Sequence, residues 1–79
     1  MEKQKLIDQF NKNSVEVVKV QIHEWKSQKY VDIRAWYIED PVKNIAKKAS
    51  HKGLTLNTEL LPNLIQALQK AQEELEKEK

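Results

Sequence analysis

At 79 residues, with a formal net charge of +2, no cysteine and a single glycine, the chain has room for one small domain, near the lower limit of what an independent hydrophobic core supports. The lack of cysteine excludes a disulfide framework, a thiolate nucleophile and any Cys-ligated metal. No apolar run approaches the length of a membrane span, and Met1–Lys5 lacks the apolar stretch of a signal peptide, so the expected setting is soluble and intracellular, with no membrane partner, and cytoplasm or nucleoid if bacterial.

Charge is unevenly spread. Residues 1–16 sum to zero, residues 17–57 to +4 and residues 58–79 to −2. A basic middle suits a localised anionic partner, because the field follows the distribution of charge and not its total. The same lysines also serve solubility.

Residues 1–14 place Leu6, Ile7 and Phe10 at helix-compatible spacing before the breaker Asn11-Lys12-Asn13-Ser14, which predicts a short helix or a flexible arm ahead of a domain over 15–79. Residues 15–25 read as a strand, with Val18, Val20 and Ile22 on one face and Lys19, Gln21 and His23 on the other. Val15 and Val17 have the wrong parity for that pattern, so either the start of the strand is buried on its other side or a bulge lies near Val17-Val18. Lys26-Ser27-Gln28 predicts a tight hairpin. Residues 29–38 then form a second strand, with Val31, Ile33, Ala35 and Tyr37 on one face and Tyr30, Asp32, Arg34, Trp36 and Ile38 on the other.

Glu39-Asp40-Pro41 is a turn signal. Residues 42–50 have a poor pattern and read as a short third strand or loop, with a single helical turn as the alternative. Leu54-Thr55-Leu56, after Gly53, reads as a brief fourth strand. Asn57 is a candidate N-cap for a long helix with Leu61, Leu64, Ile65, Leu68, Ala71 and Leu75 in one apolar stripe. Pro62 would then fall near the fifth helical position and remove a backbone donor there. The predicted class is α+β, a four-stranded curved antiparallel sheet followed by one C-terminal helix. That helix is expected to cover one face of the sheet and leave the other to water or a partner.

Residues 24–37 hold four of the five aromatics. Within them, Glu24-Trp25-Lys26, Tyr30-Val31-Asp32-Ile33-Arg34 and Trp36-Tyr37, followed by Lys52-Gly53-Leu54-Thr55-Leu56 and a Leu-rich helix, resemble the single-stranded-DNA-binding domain of the transcriptional positive cofactor four (coactivator p-fifteen) family over roughly residues 15–75. The resemblance implies a β-β-β-β-α protomer, a symmetric homodimer, and binding of single-stranded or melted DNA with little sequence preference. Transcription machinery is a further partner it suggests. Lacking the Ser- and acid-rich arm of eukaryotic members, the chain looks like a minimal bacterial or viral version. Carried over by position, the DNA-facing residues are Trp25, Lys26, Arg34, the Trp36-Tyr37 pair and Lys52. The family's usual Gly-Lys in the hairpin is Ser27-Gln28 here, which puts the turn and one phosphate contact in question, with Lys29 as a substitute only if the turn shifts register.

These residue types suit the chemistry. A sequence-tolerant binder of single strands needs aromatic platforms for bases and cations along the phosphate track. Trp25, Tyr30, Trp36 and Tyr37 offer platforms; Lys26, Lys29, Arg34, Lys48 and Lys52 offer cations. Alternation turns Tyr37 toward the core and Trp36 toward the open face, whereas the family pattern points at the second aromatic, so both are candidates. Each aromatic could equally serve the core, and Asp32 is best read as a partner that orients Arg34. His23 and His51 lack a second ligand at metal-binding spacing. No Gly-rich phosphate loop or nucleophile elbow is present, so no enzyme activity, cofactor or metal is expected. RNA binding and a protein-interaction module on the same face are the alternatives.

Overall fold

A computed structural model describes residues 3–78. Four antiparallel strands, β1 (Lys3–Asn11), β2 (Glu16–Trp25), β3 (Gln28–Asp40) and β4 (Ile45–Asn57), lie side by side in sequence order and form one open sheet. A 3-10 turn, Thr58–Leu60, leads into the helix α1 (Leu61–Lys77). The α+β class with four strands and one C-terminal helix is therefore as the alternation predicts, although two of the strands arise differently.

The segment read as a helix or arm is β1, apart from residues 1 and 2, which lie outside the described residues. Leu6 opposes Gln21 and Phe10 opposes Val18, with a register shift between Leu6 and Asp8. That irregularity places Leu6 and Phe10 on opposite faces, so their helical spacing has no single-face consequence in the strand. The edge of β2 supplies hydrogen-bond partners along the whole segment, which a lone short helix would not gain. The breaker is a turn, as expected: the Glu16 carbonyl accepts from the Lys12 and Asn13 amides at 2.9 and 3.3 Å, and the Asn13 side chain accepts from the Val15 amide at 2.9 Å.

β2 and β3 pair without interruption from Glu16–Tyr37 to Trp25–Gln28. No bulge occurs at Val17-Val18; instead Val17 is wholly buried on the face opposite to Val18, where it opposes Trp36. The connection is a two-residue turn in which Lys26 and Ser27 both take left-handed backbone angles, φ 49° and 65°, the geometry that matches strand twist in a tight hairpin.

The poorly patterned residues after Asn44 and the brief strand after Gly53 are one continuous β4. Its periodicity is masked by a wide irregularity: Arg34 opposes Gly53 and Trp36 opposes Ala49, so Ala35 faces the whole of Ser50, His51 and Lys52. The Ser50 hydroxyl closes this bulge, donating to the Ala35 carbonyl at 2.9 Å and accepting from the Lys52 amide at 3.1 Å. Gly53 is required by close approach: a Cβ there would lie 2.4 Å from the Ile33 carbonyl oxygen and 2.7 Å from the Arg34 Cα. The β3–β4 loop is shaped by Asp40, which accepts from the Val42 and Lys43 amides at 3.1 and 3.2 Å, and by Asn44 at φ 56°.

Asn57 makes no side-chain cap; the 3-10 turn intervenes and the helix starts at Leu61, so Pro62 falls in its first turn, where its missing N–H costs nothing. The expectation that α1 covers one sheet face is not met. It carries no buried residue among those described, and it packs appreciably only on the 3-10 turn at its foot. The Cα radius of gyration, 14.6 Å, exceeds the roughly 12 Å expected of a compact chain of this length. Among the described residues the buried apolar ones are Val17, Val31, Ala35 and Ala46.

Two stability outcomes follow. Ser27→Gly should raise unfolding free energy by about 0.5–1 kcal/mol in a urea titration, because glycine takes a left-handed φ without the steric cost that serine bears. Gly53→Ala should lower it by about 1–3 kcal/mol, since backbone on both sides of the new methyl must move.

Candidate functional site

Strand pairing sorts the side chains into two faces, because neighbours in a strand alternate and paired residues share a side. One face is apolar: Val18, Val20 and Ile22 from β2, Val31, Ile33 and Ala35 from β3, and Leu54 and Leu56 from β4. The other carries Lys19, Gln21, His23 and Trp25 from β2, Tyr30, Asp32, Arg34 and Trp36 from β3, Gln4 from β1 and Thr55 from β4. On that second face an open trough of about 480 Å³ has three of the chain's aromatics, Trp25, Tyr30 and Trp36, in its wall.

The trough is built on a buried polar floor. Asp32 and Gln21 oppose each other and are both buried. Asp32 Oδ1 accepts from the Thr55 hydroxyl at 2.7 Å and from Arg34 Nε and Nη2 at 3.3 and 3.2 Å. Arg34 Nη1 donates to the Ser50 carbonyl at 3.1 Å. Three contacts thus hold a guanidinium in one orientation, while its remaining N–H groups, unpaired among the described residues, can meet an anion. Ser50, which no sequence pattern singles out, contributes both the bulge closure and this carbonyl.

Two lysines sit over the two indoles. The Lys26 ammonium lies 4.5 Å from the Trp25 ring centroid and the Lys19 ammonium 4.3 Å from that of Trp36, within the range of cation–π attraction. Trp25 is 47% exposed, a platform open to a stacking partner. Trp36 is half-buried, with its indole Nε1 buried and unpaired among the described residues. Lys19 also donates to the Ala46 carbonyl at 2.7 Å, which fixes its reach. Tyr30 donates to Gln28 Oε1 at 3.4 Å.

Of the nine residues the sequence nominates, the structure brings together Trp25, Lys26, Tyr30, Arg34 and Trp36. The other four lie on the apolar side. Lys29 opposes Glu24, and Tyr37 opposes Glu16 and Lys48; Tyr37 thus takes the face that alternation assigns it, yet it is 41% exposed. Lys52 points away from the trough and pairs with Glu16 at 3.6 Å. Glu16 is buried with Lys12 at 3.7 Å on its other oxygen. A hydrogen bond from Asn13 holds its carboxyl below the usual carboxylate range, helped by the charges of Lys12 and Lys52 against the opposing effect of burial. The Lys52 ammonium thus faces Glu16 and not the trough. Lys19, Gln21 and His23 join the site instead; alternation along β2 already places them on this face. Among the described residues no cluster of acids and histidines could hold a metal ion, and no helix is long and apolar enough to cross a membrane.

Comparison with known proteins identifies the family and the fold. The model of the Transcriptional Coactivator p15 (PC4) family matches residues 12–67. Two crystal structures of a PC4 homolog from Burkholderia pseudomallei, in orthorhombic and tetragonal forms, share the fold with TM-scores of 0.77 and 0.75. Each is 21% identical and covers 89% of this chain, which in turn covers 90% and 98% of theirs. No curated protein matches the chain.

Proposed function

We propose that this chain, which belongs to the Transcriptional Coactivator p15 (PC4) family, binds single-stranded DNA on its trough face as a homodimer, with little sequence preference. The observation that carries the reading is the pairing of two indoles with two lysines beside an immobilised arginine on one sheet face. Indoles stack on any base, and cations spaced along the face follow the phosphates, so affinity does not depend on reading base edges. Acting inside the cell, such a protein would stabilise melted strands in transcription, replication or repair.

The homodimer is supported by what one protomer leaves open. Leu68 and Leu75 on α1 are 59% and 63% exposed, Ile65 is 47% exposed, and Leu54 on the apolar sheet face is 41% exposed. A second copy burying the helix stripe and the apolar face removes both surfaces from water without touching the trough.

The binding reading is tested by quenching of tryptophan fluorescence with oligo-dT, single-stranded RNA and duplex DNA at two salt concentrations. Oligo-dT should bind most tightly, with a log–log salt slope of about −2 per protomer from Lys19, Lys26 and Arg34. Trp25→Ala with Lys26→Ala should weaken it on the order of 100-fold, while Lys29→Ala with Lys48→Ala, on the other face, should change it little. Equal losses in the two pairs would sink the assignment of the face; tighter RNA or duplex binding would reassign the ligand, and no oligonucleotide binding would favour a protein-interaction module. For the dimer, sedimentation at micromolar concentration should give twice the protomer mass, and Leu68→Asp should shift it toward monomer. A wild-type monomer under those conditions would refute it.

A further inference from the structure

We propose that His23 is a proton-linked phosphate contact, so that single-strand affinity rises as pH falls through the neutral range. This rests on the trough being the nucleic-acid face. His23 stands on β2 between Gln21 and Trp25 on that face, is half-buried, and lines the trough next to the most exposed indole. Its cross-strand neighbours are Gln4 on β1 and Tyr30 on β3. The acid diagonal to it on β3 is Asp32, whose Oδ1 is already shared by Arg34 and Thr55. The cations of the face, Lys26, Arg34 and Lys19, belong to residue types that stay charged at neutral pH. Imidazole is the side-chain type that changes charge between about pH 5 and 8, and His23 is the histidine that lines the trough. The other, His51, lies exposed in the β4 bulge and does not line the trough.

The sign follows from linkage. A phosphate beside the ring favours imidazolium, so the bound state holds more protons than the free one and binding is stronger at low pH. At most one proton per protomer is taken up, which caps the effect at about a tenfold gain per pH unit. The protonated ring adds one cation to the phosphate track and steepens the log–log salt slope by about 0.7 per protomer.

The test is a titration with oligo-dT from pH 5.5 to 8, chosen because neither its phosphodiesters nor thymine titrate in that window. Wild type should lose affinity progressively as pH rises. His23→Gln should bind with an affinity that is flat across the range. His23→Lys should be flat near the wild-type value at pH 5.5, and His51→Gln should keep the wild-type slope. Tight binding with no pH dependence, or a slope retained in His23→Gln, overturns the role of His23 alone. No binding of oligo-dT at either end of the range overturns this proposal together with the nucleic-acid reading beneath it.

Discussion

The unbroken pairing of β2 with β3 decides which face each strand side chain of the candidate site takes. From Glu16–Tyr37 to Trp25–Gln28 each residue has a fixed opposite number, and a slip of one position would carry Trp25, Arg34 and Trp36 to the apolar side and the valines to the wet side. The hairpin turn that sets this register is made by Lys26 and Ser27 with left-handed backbone angles that neither residue favours. The shared apolar side of Val18, Val20, Ile22 and Ile33, half-buried, and Val31, buried, keeps the strands in step, since only one register puts all of them on one side. Lys26 is drawn back over Trp25 by the same turn, so the family's usual glycine is replaced without loss of the cation–indole pair.

Against that hairpin, β4 supplies orientation. Its wide bulge brings the Ser50 carbonyl to Arg34, and Gly53 allows the two backbones to approach closely enough for Thr55 to reach Asp32. A carboxylate that accepts three bonds and a guanidinium that donates three form a nearly closed network, in which each member holds the others in place. The bulge adds two residues and so keeps parity, and Lys52, on the side of Leu54 and Leu56, turns to Glu16 there.

The sheet has one polar face furnished by its own side chains and one apolar face that the helix leaves open. Burial in a single protomer is confined to a few small residues, far less than a chain of this length needs to offset its conformational entropy. The exposed helix stripe and the open apolar face are therefore two halves of one unmet demand. The homodimer proposed above would meet it from the apolar side, and the trough lies on the opposite face of the sheet.

Sequence by itself determined the β2–β3 hairpin, its two faces, the basic middle and the C-terminal helix, because strand alternation and helical spacing are local and survive any tertiary context. The shared face of Trp25, Tyr30, Arg34 and Trp36 was legible for that reason, whereas Lys26, in the turn, was nominated by the family resemblance. Tertiary structure alone decided that residues 3–11 form a strand, that Asn57 caps nothing, that Lys52 serves Glu16, and that Ser50 anchors Arg34. Each of these depends on a partner distant in the chain or on a bulge that resets parity, and neither leaves a periodic trace in the sequence. The position of the helix belongs with them: its stripe predicts that it buries leucines, but only the fold shows that the sheet of its own protomer is not what covers them.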